Sequence, residues 1–141
     1  MNKRVDGERK AQNRWSTWAG RAQTALFAVF MLGASIAPKL LGLDVAGDTL
    51  EPLGWKRDAA LPIGMLELAC VALYLWPRTS VLGAILMTGV LGGAMATQFR
   101  VDAPLFSHAL FGLYLGFFMW GGLWLRDPEL RRQFPWRASQ T

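Results

Sequence analysis

The sequence predicts an all-α integral membrane protein, a four-helix up-down bundle with both termini in the cytoplasm. Three observations predict this fold: four long runs almost free of charge, two very short connections between them, and an uneven placement of lysine and arginine. The 141 residues, 52% of them apolar, have the length of one domain. The mean hydropathy is only modestly positive, so the arrangement of the apolar residues, and not their number, predicts the membrane.

The uncharged runs have the length of membrane spans. Each approaches or exceeds the ~17–25 apolar residues that a helix needs to cross a bilayer. Only the second run is interrupted, by Glu67. The predicted spans are residues 21–38, 59–76, 81–98 and 105–125, in a membrane domain at 21–126 between a basic lead at 1–20 and a basic tail at 127–141.

The first run also has the layout of a signal peptide, because basic residues precede it and the small residues of "ASIAP" close it. Pro38 would stand directly after the cut, where the peptidase accepts proline poorly. The basic lead is also long for a signal peptide. We therefore interpret this run as a retained helix.

The connections predict how the helices are joined. "WPRTS" (76–80) and "QFRVDAP" (98–104) leave room only for tight turns, so the helices that they join are antiparallel neighbours. The longest connection, 38–62, contains glycines and prolines that prevent one continuous helix. We expect a short interfacial turn near its residues 50–55.

Basic residues predict the orientation. Eleven of the 15 lysines and arginines lie in or directly beside the lead, the second connection and the tail, with Arg21 and Arg126 at the ends of the membrane domain, and four lie in the other two connections. Basic loops stay in the cytoplasm, so the chain is expected in the cell's inner (cytoplasmic) membrane with both termini cytoplasmic. The net charge of +5 is then explained by topology and by anionic lipid headgroups, and no nucleic-acid partner is expected.

Composition excludes several chemistries. One histidine and one cysteine cannot supply bis-histidine haem ligation, an iron–sulfur cluster or a structural zinc site, and Cys70 has no partner for a dithiol couple. We therefore expect no metal and no intrinsic cofactor.

Each predicted helix carries one face of small and polar residues, a pattern typical of helix contacts in membranes. Every such face ends in a polar residue towards the outer side: Lys39, Glu67, Arg100 and His108. The four faces are residues 28, 31, 35 and 39; 64, 67, 71 and 74; 89, 93, 97 and 100; and 108, 112 and 116.

Glu67 is the least expected of these residues, since a carboxylate is costly in lipid. If the second helix begins at Ala59, Glu67 lies about 12 Å deep, and if Pro62 begins it, about 7.5 Å. We expect the start at Pro62, because Lys39 or Arg100 could then pair with the carboxylate. Ionisable residues inside a membrane span are candidates for function by default, but an ion pair that only fixes the helix register is the structural alternative.

The sequence resembles the DoxX-like family of small four-helix membrane proteins, over about Leu26 to Arg132. The resemblance rests on four stretches: "GASIAPKL", "LPIGMLELACVALYLWPRTSVLGAIL", "GGAMATQFR" and "GLWLRDPELRR". It implies that Lys39, Glu67 and Arg100 form a shared polar site. The family takes its name from a small subunit of a membrane thiosulfate:quinone oxidoreductase, and some distant animal relatives look like receptor assembly factors. The chain lacks a cysteine pair for a redox relay, which argues against oxidoreductase activity of its own.

Two functional hypotheses follow, and whether the protein is an enzyme stays open. In the first, Lys39, Glu67 and Arg100, with His108 and Tyr74, line an outer-leaflet pocket for a small amphipathic molecule such as a quinone. Glu67 would exchange protons there, and the chain would serve as a membrane subunit of an oxidoreductase. In the second, the chain is a non-catalytic assembly or interaction subunit with a partner membrane subunit or a second copy of itself, and the charges are structural. Proton-coupled transport has less support, because the sequence shows no inverted repeat.

Overall fold

The computed structural model describes residues 3–133, with side chains from Arg14 onward. Within this range every regular element is helical. The first two residues of the basic lead and the basic tail from residue 134 onward lie outside the described residues. The α-helices are α1 (Lys3–Phe30), α2 (Ala37–Leu40), α3 (Asp44–Leu50), α4 (Ala60–Leu75), α5 (Ser80–Arg100), α6 (Phe111–Arg126) and α7 (Pro128–Gln133).

Four shorter helical turns complete the chain. Two are π-turns, in which the hydrogen bonds join residues five apart, and two are 3₁₀-turns. The first π-turn joins α1 to α2, and the second precedes α6. The π-turns are Met31–Ile36 and Leu105–Ala109, and the 3₁₀-turns are Glu51–Leu53 and Arg57–Ala59.

The prediction of an all-α chain with four membrane-length helices is confirmed for the described residues. Four helical segments are long and apolar enough to cross a membrane: Arg14–Leu40, Arg57–Leu75, Ser80–Arg100 and Leu105–Arg126. Their outer surfaces carry large apolar side chains, such as Phe117 and Val29, which are 70% and 69% exposed. Water would strongly disfavour such a surface, whereas lipid solvates it.

The helices pack as a ring in which α1 contacts α4 and α6, and α5 contacts α4 and α6. Residues of α1 and α6 meet in opposite order along the two helices: Gly20 lies against Arg126, and the rings of Phe30 and Phe111 are 6.0 Å apart. A Cβ atom on Gly20 would be only 2.6 Å from the backbone nitrogen of Arg126. Glycine is thus required for this close approach.

The other helix pairs also approach through glycine. A Cβ atom on Gly83 would overlap the backbone of Tyr74, directly across the turn that joins α4 to α5. A Cβ atom on Gly112 of α6 would lie 2.8 Å from the side chain of Met95 of α5. The core between the helices is apolar, and its largest fully buried side chains are Tyr74, Phe27, Met31, Ile36, Met87, Met119 and Leu123.

The expected small-residue faces of the third and fourth spans are only partly correct. Gly112 packs against α5 as expected, but a Cβ atom on Gly89, Gly93 or Gly116 would meet no described atom within 4 Å. Gly89 and Gly93 are exposed and Gly116 is partly exposed, so none of the three is a close contact between helices. Four-residue spacing alone does not tell an outward face from an inward one when both faces are apolar.

The connection between α2 and α4, called here the outer connection after the side predicted for it, is held in place by one arginine. Arg57 forms ion pairs with Asp48 and Glu51. Its Nε lies 2.7 Å from Glu51 Oε1, and its Nη1 lies 3.7 Å from Asp44 Oδ1. The predicted turn near residues 50–55 is present as the 3₁₀-turn Glu51–Leu53, followed by Gly54 at a positive φ of 81°. Glycine adopts this conformation without strain.

Candidate functional site

Lys39 and Glu67 form an ion pair between the first and second spans. Lys39 Nζ donates hydrogen bonds to both carboxylate oxygens of Glu67, each at 2.8 Å, and to Ser35 Oγ at 2.6 Å. Ser35 Oγ in turn donates to Glu67 Oε2 at 3.0 Å. These three residues form a closed ring of hydrogen bonds, called here the Lys39–Ser35–Glu67 network.

The charged side chains of the network are largely buried. The side chain of Glu67 is 8% exposed and that of Lys39 is 14% exposed. Opposite charges in contact make the network neutral overall, which offsets part of the cost of placing each charge in an apolar medium. Of the two side chains, that of Lys39 is the more exposed.

A π-turn positions the first-span residues of the network. Met31 and Ile36, five residues apart, are both 2% exposed in the core. In an α-helix two such residues would point about 140° apart, so both could not face the same core. The hydrogen bond from the Ala37 N–H to the Leu32 carbonyl, five residues back, identifies the π-turn that resolves this conflict. Ser35 lies within that turn, and Lys39 follows it by one turn.

Pro38 is a physical reason for the change in helix geometry. Proline has no N–H to donate, and its ring clashes with the carbonyl four residues earlier in a regular α-helix. A wider turn before Pro38 relieves both problems. This reason does not extend to the second π-turn, because Pro104 lies directly before that turn and not after it.

Gly64 brings the second span close enough to complete the network. A Cβ atom on Gly64 would lie 2.8 Å from the Cβ atom of Lys39 and 3.3 Å from Leu40 Cδ2. Gly64 and Glu67 are three residues apart on α4 and so share one face. The backbone of α2 therefore crosses α4 at Gly64, and the Lys39 side chain runs one turn along α4 to reach Glu67.

The expectation that α4 begins at Pro62 is wrong, since α4 begins at Ala60 and follows the 3₁₀-turn directly. Proline is tolerated at the third position because the first N–H groups of a helix have no partner within the helix. The earlier start does not prevent pairing, because Lys39 approaches Glu67 sideways, across Gly64, and not from the helix end.

Arg100 does not join the Lys39–Ser35–Glu67 network. Its Nη2 donates a hydrogen bond of 2.6 Å to the carbonyl of Leu53, and it lies beside Gly54 of the outer connection. A cleft of about 330 Å³ is lined by Gly54, Trp55, Ala96, Thr97 and Arg100. This cleft and the network share no residue.

His108 and Tyr74 also lie apart from the network. His108 is exposed on the second π-turn, where its Nδ1 lies 2.8 Å from Ser107 Oγ. Tyr74 is fully buried; its hydroxyl donates to the Met119 carbonyl at 2.9 Å and lies 3.3 Å from Thr24 Oγ1. Seven residues, about 10 Å of helix, separate Tyr74 from Glu67. Ligand binding by His108 or Tyr74 stays a prediction.

Two residues of the site were predicted from the sequence only as members of a helix face, and not as candidate binding residues. Ser35 stands four residues before Lys39 on one helix face, and Gly64 stands three before Glu67; both spacings predict neighbours on a helix. What those spacings could not predict is that Ser35 bridges the ion pair and that Gly64 sets the distance. The described residues contain no group of three or more His, Cys, Asp or Glu side chains placed to hold a metal ion.

Comparison with known proteins gives one match. The model of the DoxX-like family matches residues 22–122, a range that contains the whole Lys39–Ser35–Glu67 network. No curated protein and no solved structure matches the chain.

Proposed function

The chain belongs to the DoxX-like family of membrane proteins, and on that premise we propose that the Lys39–Ser35–Glu67 network binds a small amphipathic molecule. A quinone is the first candidate. Residues 22–122, which match the family, cover most of the four candidate spans and contain this network between the first two.

The observation that carries the proposal is an ion pair beside a π-turn inside membrane-length helices. Each feature is unfavourable on its own. A buried ion pair is often no more stabilising than apolar residues of the same size. A π-turn replaces regular α-helical hydrogen bonds and is found frequently at functional sites. Their coincidence at Ser35, Lys39 and Glu67 favours a function over packing alone.

The network offers complementary chemistry to such a ligand. Lys39 now donates a hydrogen bond to Ser35, and it would donate this bond to a carbonyl of the ligand instead. Lys39 is accessible for this exchange because its side chain is the more exposed of the ion pair, at 14%. Glu67 would then exchange a proton with the bound ligand. Electron transfer would belong to a partner membrane subunit, since the chain has one cysteine and one histidine.

The orientation is part of the same proposal. We place the chain in the inner membrane as an up-down bundle with both termini cytoplasmic and the network in the outer half of the bilayer. Support comes from the excess of lysine and arginine in the lead, the second connection and the tail. The opposite order in which residues of neighbouring helices meet also supports it.

A thermal-shift titration tests the binding. A short-chain quinone with one isoprenoid unit is added to the detergent-purified protein, and the shift of the unfolding temperature is compared between wild type and Glu67→Gln. Gln keeps the size of Glu67 and removes its charge, so the folded variant should lose the ligand-dependent shift. Glu129→Gln is the matched control, because Glu129 is exposed and pairs with Arg132 in α7. An unchanged shift in folded Glu67→Gln would reject the proposal.

A second variant covers the case in which Glu67→Gln does not fold. Ser35→Ala leaves both charges in place and removes only the hydroxyl that bridges them. If the ligand competes with Ser35 for Lys39, this variant should bind the quinone more tightly than wild type. An equal or weaker response would contradict the proposed mode of binding.

The closure of the network favours a second candidate function. Both oxygens of Glu67 and the ammonium of Lys39 already have partners, as in an ion pair that fixes helix register. The chain would then be a non-catalytic assembly or interaction subunit. In that case Glu67→Gln should lower the folded yield, and cross-linking in native membranes should capture a partner subunit or a second copy.

A further inference from the structure

We propose that the cleft beside Arg100 binds the phosphate group of a phosphate ester, as a site separate from the Lys39–Ser35–Glu67 network. The cleft lies between α5 and the outer connection and has a volume of about 330 Å³. One wall is α5, with Ala96, Thr97 and Arg100, and the other is Gly54 and Trp55.

The cleft lies at the depth of lipid headgroups. α5 has 21 residues, about 30 Å at 1.5 Å per residue, which is the thickness of the bilayer hydrocarbon. Arg100 is the last residue of α5 and so lies where the hydrocarbon ends. Trp55, which is 45% exposed, is of the type that concentrates at this boundary.

Among the described residues Arg100 forms no ion pair, and a hydrogen bond holds its guanidinium in place. The ion pairs formed by the described lysines and arginines involve Lys39, Arg57 and Arg132, and Arg100 is not among them. Its hydrogen bond to the Leu53 carbonyl holds the guanidinium in place and uses one N–H of the five that arginine carries. The remaining N–H groups match the paired oxygens of a phosphate, which arginine binds with two parallel hydrogen bonds.

Gly54 makes room for this arrangement. Its φ of 81° favours glycine, and a Cβ atom there would lie 2.7 Å from Arg100 Nη2. The small side chain of Ala96 keeps the opposite wall open. A volume of this size is at the lower end for small-molecule sites and accommodates a phosphate with a glycerol-sized substituent. The chemistry selects a phosphate; its source is a lipid headgroup or a soluble phosphate ester.

The test titrates three probes into the detergent-purified chain and follows its unfolding temperature. The probes are short-chain phosphatidylglycerol, the matching diacylglycerol without phosphate, and glycerol phosphate without acyl chains. Ala96→Leu fills the cleft and leaves Arg100 and its bond to Leu53 intact. Ala94→Leu is the matched control, because Ala94 is exposed on the same helix and does not line the cleft.

We expect phosphatidylglycerol to stabilise wild type and Ala94→Leu equally and saturably, and diacylglycerol to have no such effect. Ala96→Leu should weaken binding about tenfold, because the larger side chain occupies the cleft and displaces the phosphate from one of its charge-assisted hydrogen bonds with Arg100. Arg100→Gln should do the same where it folds. If glycerol phosphate stabilises the protein as much as phosphatidylglycerol does, the site binds a soluble ester. If glycerol phosphate does not stabilise the protein, the site binds a lipid headgroup. Unaltered phosphatidylglycerol binding in Ala96→Leu, or equal stabilisation by diacylglycerol, would overturn the proposal.

Discussion

Gly64 and Lys39 are packed so closely that a Cβ atom on Gly64 would lie 2.8 Å from the Cβ atom of Lys39. The absence of a side chain at position 64 lets α2 lie directly on α4. Because Glu67 is three residues further along the same face, this contact also sets the 2.8 Å distance from Lys39 Nζ to the carboxylate. One missing methyl group thus connects helix packing to the chemistry of the site.

Gly64→Ala should separate α2 from α4 and weaken the ion pair. The new methyl group meets a Cβ atom, which cannot move without its backbone, so we expect a loss of about 1–3 kcal/mol in the free energy of unfolding. Denaturation in mixed micelles measures the change. Gly93→Ala is the control, because its methyl group would meet no described atom within 4 Å. Equal stability of the two variants would show that the close contact does not constrain the fold.

Lys39→Met should destabilise the protein more than the double variant Lys39→Met with Glu67→Leu. The single change leaves a buried carboxylate without its partner, at a cost of about 3–5 kcal/mol. The double change replaces the pair by apolar residues and should recover most of that loss, while abolishing quinone binding. The double-mutant cycle, completed with Glu67→Leu, gives the coupling energy between the two residues. Additive losses would mean that the pair does not contribute as a unit.

Tyr74→Phe should lower the free energy of unfolding by about 1 kcal/mol. The variant loses the hydroxyl that donates to the Met119 carbonyl and lies near Thr24, at a site with no exposed surface. Tyr114→Phe provides the comparison, because Tyr114 is 47% exposed. If both variants are as stable as wild type, the buried hydroxyl does not tie α4 to its neighbours. The same samples, titrated with the short-chain quinone, test the predicted role of Tyr74 in ligand binding.

Reporter fusions should place both termini in the cytoplasm. Green fluorescent protein at either end should fluoresce, whereas alkaline phosphatase, which folds only outside the cytoplasm, should stay inactive there. Alkaline phosphatase inserted after Asp44, in the outer connection, should be active. The basic residues of the lead, the second connection and the tail are the physical reason for this orientation. Phosphatase activity at the C-terminus would contradict it.

Much of the fold follows from the sequence because lipid imposes a simple requirement. A span must be long, apolar and helical, so four uncharged runs predict four helices. A charge inside such a run requires a partner, which singles out Glu67 and makes Lys39 a natural candidate. Both inferences concern the relation of the chain to its solvent, and one sequence contains that information.

The packing of the helices cannot be predicted from the sequence in the same way. In a soluble helix the apolar face marks the core, but in a membrane helix both faces are apolar. Gly64 and Gly93 therefore look alike in the sequence, although only Gly64 lies against a neighbour. For the same reason Arg100 looked like a partner for Glu67, whereas it contacts the outer connection at Leu53.

The sequence by itself determined that this is a four-span membrane protein and that Glu67 is its least expected residue. Only the tertiary structure decided that Ser35 bridges Lys39 and Glu67, and that Arg100 lines a separate cleft. The physical reason lies in the first π-turn and in the crossing at Gly64. A π-turn rotates every later residue around the helix axis, and a helix crossing depends on both partners. Neither can be obtained from the spacing of residues along one helix.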